Sequence, residues 1–138
     1  MKLMIQNLGQ EEVADFTNMF IDAQGDVDLS NVSDNECEDI VLKDVLNMVP
    51  IEKTANFISG VGKKLRKGGR MHMNGLDLRI FCRRVLKNEV DDVTFNKIMK
   101  DRQSVVSLPV IRNIVAGTGL IVERAVIKGD TYELVVSR

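Results

Sequence analysis

The sequence predicts an α/β domain whose sheet is mostly parallel and finishes in an antiparallel hairpin. Three observations carry that class. Short apolar runs alternate with segments of three-to-four-residue apolar spacing, Gly, Asn and Asp stand where the period changes, and the chain closes on two strand-like runs about a tight turn. The chain has 138 residues, 44% hydrophobic and 28% charged, which suits one core and leaves two marginal. One domain over 1–138 is therefore expected. With five Phe, one Tyr and no Trp, aliphatic side chains and seven Met must fill the interior.

Each element follows from its own pattern. Leu3, Met4, Ile5 and Leu8 form an apolar run that reads as a buried strand ended by Asn7-Leu8-Gly9. From Gln10 the spacing of Val13, Phe16, Phe20 and Ala23 predicts a helix, with Glu11 and Glu12 at its positive end and Gln24-Gly25 as its stop. Asp26-Val27-Asp28-Leu29 alternates, which would put both carboxylates on one face of a short strand. Asp39 to Leu42 reads as a strand. Pro50 to Leu65 reads as a helix with Ala55, Ile58, Val61, Gly62 and Leu65 inward, stopped by Gly68-Gly69. Arg70 to Asn74 is the next strand, and Leu76 to Asp101 holds one or two helices. A helix opening at Ser107-Leu108-Pro109 precedes strands over Leu120–Ile127 and Thr131–Ser137, joined at Lys128-Gly129-Asp130.

Charge and cysteine usage narrow the function classes. Residues 1–60 hold twelve acids against three bases, and residues 61–138 hold eight acids against sixteen bases. Opposite halves can attract within one fold or pair two copies of the chain, so a homo-oligomer through oppositely charged halves is one expectation. The segment Lys63–Lys87 has nine bases against Asp77, and Arg79, Arg83 and Lys87 share one helical stripe. A nucleic-acid contact there would lack interleaved aromatics for stacking, which favours a solvated face. Cys37 and Cys82 match no metal spacing and read as reduced thiols. No apolar run is long enough to cross a bilayer, so a cytoplasmic protein away from membranes is expected.

Four stretches, Ser33–Val41, Asp44–Pro50, Gly62–Arg70 and Ile114–Val122, in that order resemble segments of class I S-adenosylmethionine-dependent methyltransferases. Ser33 to Val41 (SDNECEDIV) is similar to the family's "pFpDNSfDvI" segment, and Asp44 to Pro50 (DVLNMVP) to its "evLeHvpd" turn. Gly62 to Arg70 (GKKLRKGGR) is similar to "r.LkpGGrl", and Ile114 to Val122 (IVAGTGLIV) to "ll..aGF.v". The likeness spans about Asp26 to Arg138, with a helical insertion near 78–105. It implies a reduced Rossmann-like methyltransferase fold with S-adenosylmethionine as cofactor. Two departures stand out. The family's glycine-rich loop after the first strand has only Asn7-Leu8-Gly9-Gln10-Glu11-Glu12 as its counterpart, and the sixteen residues Gln10–Gly25 leave at least one βα unit missing.

In such sheets ligands lie beyond the carboxyl ends of the strands. The resemblance then implies Asn7, Gly9, Asp28 and Asp44 along the cofactor and Asn74 and Asp77 near the methyl acceptor, with no catalytic base or metal assigned. Asp26 or Asp28 would be the acid on the ribose. His72, the lone histidine, sits mid-strand and reads as a packed or partly exposed strand residue. Two functions are carried forward: a methyltransferase of unknown acceptor, and a non-catalytic relative serving as an interaction or assembly module. In size and composition such reduced proteins resemble accessory proteins of bacterial viruses.

Overall fold

A computed structural model describes residues 1–138. Six strands form one sheet: β1 (Lys2–Asn7), β2 (Thr17–Ile21), β3 (Cys37–Leu42), β4 (Leu65–Leu76), β5 (Ile121–Lys128) and β6 (Thr131–Ser137). Their order is β2-β1-β3-β4-β6-β5. β1 pairs in parallel with β2 and β3, β3 pairs in parallel with β4, and the β5–β6 hairpin is antiparallel on the edge. The expected α/β class and its C-terminal hairpin are thus observed. The helices are α1 (Ile51–Gly62), α2 (Leu78–Leu86), α3 (Asp92–Met99) and α4 (Leu108–Gly117). No helix is long and apolar enough to cross a membrane.

One face of the sheet carries the core. Leu3, Ile5, Ile40, Leu42, Met71, Met73, Leu134 and Val136 point to it and pack with Ile58 and Val61 of α1 and Ile111 and Val115 of α4. Leu76 of β4, Phe81 of α2 and Val90 of the α2–α3 link form a separate small cluster, with Phe95 of α3 stacked on Phe81. The glycine before it has a steric reason: a Cβ on Gly75 would run into the Tyr132 ring opposite it on β6. The Tyr132 hydroxyl is buried without a partner, and burial pushes its pKa far above the ordinary tyrosine range.

Four local expectations are corrected. Residues 10–24 form no helix; a loop over Leu8–Phe16 leads straight into β2. Nine residues lie between β1 and β2, fewer than a helical crossover between parallel strands needs. Asp15 takes φ +68, which an α-helix does not tolerate, and the Thr, Phe and Ile of Thr17–Ile21 suit a pleated edge. Asp26–Leu29 is irregular, because its residues serve the link from β2 to β3, where Val27, Leu29 and Val32 pack onto the core. Helix α1 ends at Gly62, and Gly68-Gly69 lie inside β4. They form the irregularity opposite Cys37–Asp39: Gly68 has φ +81, and a Cβ on Gly69 would meet the Cys37 carbonyl at 3.0 Å. Within α1, Thr54 faces inward where Ala55 was expected, its hydroxyl satisfied by donating to the Pro50 carbonyl (3.1 Å).

Candidate functional site

The strand order reverses between β1 and β3, since β1 leads outward to β2 and β3 leads the other way to β4. At such a switch point the loops diverge and leave a crevice beyond the strand ends. A pocket of about 510 Å³ lies there, lined by Asn7, Leu8, Ile21, Asp22, Ala23, Met48, Asp101, Arg102 and Gln103.

Asn7, at its edge, belongs to a hydrogen-bonded knot of residues singled out in the sequence. Asn7 Nδ2 donates to the Asp44 carbonyl (2.9 Å), and the Asp44 N–H donates to Asn74 Oδ1 (2.9 Å). Asn74 Nδ2 returns a bond to Asp44 Oδ1 (2.7 Å). These contacts hold Asp44 at φ +56, a conformation that Asp tolerates but that needs support. The ends of β1, β3 and β4 are thereby tied together. Asn7 Oδ1 remains buried without a hydrogen-bond partner.

The other three expected residues stand apart from this knot. Gly9 has φ +88 in the turn closed by Gln10 N–H to the Asn7 carbonyl (3.3 Å), and nothing lies within 4 Å of where its Cβ would be. It serves the turn, and no backbone crowds it. Asp28 lies on the exposed link between β2 and β3, where the Ser30 hydroxyl and then the Ser30 N–H (3.0 Å) lower its pKa. Asp77 is buried and its carboxylate is spent on two helices: Oδ1 accepts from Ile80 N–H (3.0 Å) at the start of α2, and Oδ2 from Leu108 N–H (2.8 Å) at the start of α4. It is a shared helix cap, with no oxygen turned to an acceptor.

The pocket also contains residues the sequence reading passed over. Asp22 directly follows β2, the place sought for an acid and assigned to Asp26 or Asp28. Its Oδ1 accepts from the Gln24 and Asp26 N–H groups (both 2.9 Å), which leaves Oδ2 uncommitted. Reading 17–21 as a strand would have found it. The roof is the segment Asp101–Gln103. It is fastened by Gln103 N–H and Ser104 N–H to the Asn47 carbonyl (2.7 and 3.1 Å), and by Gln103 Nε2 to the Ala23 carbonyl (2.7 Å). Asn47 itself is buried and bridges the Ser104 carbonyl and the Leu76 N–H (both 3.0 Å). His72 is exposed on the sheet face away from α1 and α4.

No family model matches the sequence, and neither does any curated protein sequence. Solved structures do resemble the fold. A SAM-dependent methyltransferase from Archaeoglobus fulgidus aligns with TM-score 0.63 at 7% identity, over 99% of this chain and 86% of that one. A putative methyltransferase from Bacillus halodurans C-125 aligns with TM-score 0.61 at 11% identity, over 98% and 87%. An O-methyltransferase family protein from Burkholderia thailandensis gives TM-score 0.63 at 17% identity, over 89% of this chain and 36% of its own length. The chain spans about a third of the first two solved structures it matches. Its sheet, its helix-backed core and its terminal hairpin are those of the Rossmann-like class I methyltransferase fold, reduced at the β1–β2 connection.

Proposed function

We propose that the chain is a methyltransferase-like protein that takes S-adenosylmethionine in the pocket at the ends of β1 and β2. The position of that pocket carries the reading: it opens at the switch point of a methyltransferase fold, with Asp22 at the end of β2 and Asp101 in its roof. Two carboxylates suit a cationic sulfonium, and Asp22 Oδ2 suits the paired hydroxyls of a ribose. The unpartnered Asn7 Oδ1 suits an amino donor. These groups fit the nucleoside end. The methionine end has no glycine cradle or helix N-terminus after β1, so its grip rests on Asn7 and the roof.

When bound, S-adenosylmethionine supplies an electrophilic methyl group. The chain's own contribution is to hold and orient the two reactants and to exclude water beneath Asp101–Gln103, a catalytic effect of positioning. Asn74, at the end of β4, is bonded through both amide atoms to Asp44 and so holds that turn and Asn7 in place; Asp77 and Asp28 take no part. A cytoplasmic setting accords with the free thiols of Cys37 and Cys82.

Calorimetry and thermal melting with S-adenosylmethionine and S-adenosylhomocysteine test the reading. A ligand at 100 times its Kd stabilises the folded state by about 2.7 kcal/mol. Asp22→Asn keeps the Oδ1 turn acceptor while removing the charge, and should weaken binding about tenfold, a difference of about 1.4 kcal/mol. Neither heat nor stabilisation at millimolar ligand would sink it.

A second reading is a non-catalytic module that has kept the fold. The direct run from β1 to β2 favours it, since a helix N-terminus is missing where a cofactor's charged end would dock. Self-association through the oppositely charged halves, an anionic partner along Lys63–Lys87, and the accessory role in bacterial viruses belong with this reading. Arg79 and Arg83 on the exposed face of α2 make no ion pair within the chain.

A further inference from the structure

A largely parallel sheet is ordinarily covered on both faces. Here α1 and α4 cover one face only. On the other, the Leu8–Phe16 loop lies over β1, where buried Gln6 donates from Nε2 to the Glu11 carbonyl (2.7 Å). Beyond β1 no helix follows. Across β3, β4, β6 and β5 the register aligns Val41, His72, Val135 and Arg124 in one row, with Asn74, Glu133 and Val126 in the next. These residues and Lys43 line a cavity of about 280 Å³, just below the roughly 300–1,000 Å³ typical of ligand sites and so suited to a small ligand.

Two observations distinguish this cavity from ordinary exposed sheet. The first is a β-bulge. Between Val122 and Arg124 the β5–β6 register shifts by one residue, so that Glu123 is the extra residue. A bulge re-aims the side chains that follow it. Without the shift Arg124 would share the helix-covered face with Val122; with it, Arg124 and Val126 line the cavity. Glu123 is held beside them by Arg70 (3.2 Å).

The second is the charge balance. Glu133, the one acid in the lining, is engaged by Lys128 (3.2 Å). Lys43 and Arg124 make no ion pair, and neither they nor His72 donates a side-chain hydrogen bond within the chain. Two free cations thus stand at an apolar floor of Val41, Val126 and Val135.

We propose that this sheet-face cavity binds a small organic anion, with its acidic group held by Lys43 and Arg124 and its apolar body laid on Val41, Val126 and Val135 beside His72. The acidic group is a carboxylate or phosphate, to which a guanidinium can offer paired donors. The cavity shares no lining residue with the strand-end pocket, to which it connects only through the Asn74–Asp44–Asn7 hydrogen bonds, and its occupancy does not depend on S-adenosylmethionine.

The lone histidine makes the test direct, because its ring protons give one set of signals in the NMR spectrum. The intact protein is titrated at fixed pH with phenyl phosphate and benzoate, and in parallel with inorganic phosphate and benzyl alcohol. At least one aromatic anion should shift the His72 signals saturably. Inorganic phosphate and benzyl alcohol should bind about tenfold more weakly, since each lacks one half of the recognised chemistry. Arg124→Gln should weaken the anion about tenfold and leave the melting temperature near the parent's, with Arg124→Lys intermediate. The proposal is overturned if neither anion shifts His72 at millimolar concentration, or if inorganic phosphate does so equally. It also falls if the signals move with protein concentration alone, which would make a second copy the occupant. Anion binding with no response to S-adenosylmethionine would remove the proposed cofactor and leave this site standing.

Discussion

The two flanks of the sheet are built differently. From β3 onward, consecutive strands are joined through helices or a tight hairpin, and Ile58, Val61, Ile111 and Val115 press onto fully buried strand residues. On the β1–β2 flank the connections are loops, and edge strand β2 buries only Ile21. The strand-end pocket lies on that second flank, roofed by a segment reaching over from between α3 and α4. The difference separates two tasks: the helix-backed flank supplies stability, and the loop-built flank supplies surface where a ligand fits. Sites placed on loops and supported by a rigid scaffold are the common arrangement.

The largest effect should come from cutting into the helix-backed flank. Ile111→Ala should cost about 2–5 kcal/mol in urea unfolding, and Met19→Ala on β2 less than half of that, because Met19 is only partly buried. Equal losses would break the contrast between the flanks. Next comes Asp77→Ala, which removes a cap from both α2 and α4 and should cost about 1–3 kcal/mol. Asp77→Asn should recover part of the loss through its remaining oxygen, and a neutral Asp77→Ala would refute the shared cap.

Asn47→Ala probes the link between flanks. It leaves the Leu76 N–H unpaired and frees one tie to the roof, for about 1 kcal/mol of stability. Faster amide exchange at 101–106 should accompany it, and unchanged exchange would show that the roof is held elsewhere. The smallest effect concerns acid. Lys64, at 2.9 Å, holds the Asp34 carboxyl below its ordinary value. A carboxyl lowered in the folded state adds stability above its unfolded pKa of about 3.9, and that stability is lost as pH falls through the lower folded value. Asp34→Asn should therefore be slightly less stable than the parent near neutrality, with the gap closing as pH falls below the unfolded carboxyl value of about 3.9. A gap that widens in acid would contradict this sign.

Opposite charge within the chain accounts for part of the sequence's asymmetry. Asp34–Lys64 and Glu38–Arg66 join the acidic and basic halves at the amino ends of β3 and β4. The other four ion pairs lie inside residues 61–138. The acids of the Leu8–Phe16 loop, Glu11, Glu12 and Asp15, enter none of these pairs.

Much of the fold was legible because local pattern and burial agree. The apolar run of β1, the strand at Asp39–Leu42, the helix after Pro50 and the terminal hairpin each face the core with the period their backbone imposes. Asn7, Asp44 and Asn74 were legible as strand-end residues. The β1–β2 connection was not, because Val13, Phe16, Phe20 and Ala23 mimic a helical stripe while nine residues are too few for a helix and the return to a parallel strand. With 17–21 hidden in that stripe, Asp22 carried no strand-end signal, whereas Asp26 and Asp28 did. Asp77 looked like a binding residue for a related reason: a strand-end carboxylate and a buried double cap have the same sequence signature.

The sequence by itself determined the period of most elements and, from β3 onward, the order of strands and helices. Those are consequences of nearest-neighbour backbone chemistry and of which side chains leave water. Only the tertiary structure decided that Asp101–Gln103 roofs a pocket begun at Asn7, that Asn47 fastens it, and that a one-residue bulge turns Arg124 toward His72. Such pairings join residues dozens of positions apart, where chain separation carries no local signal and three-dimensional packing alone sets who meets whom.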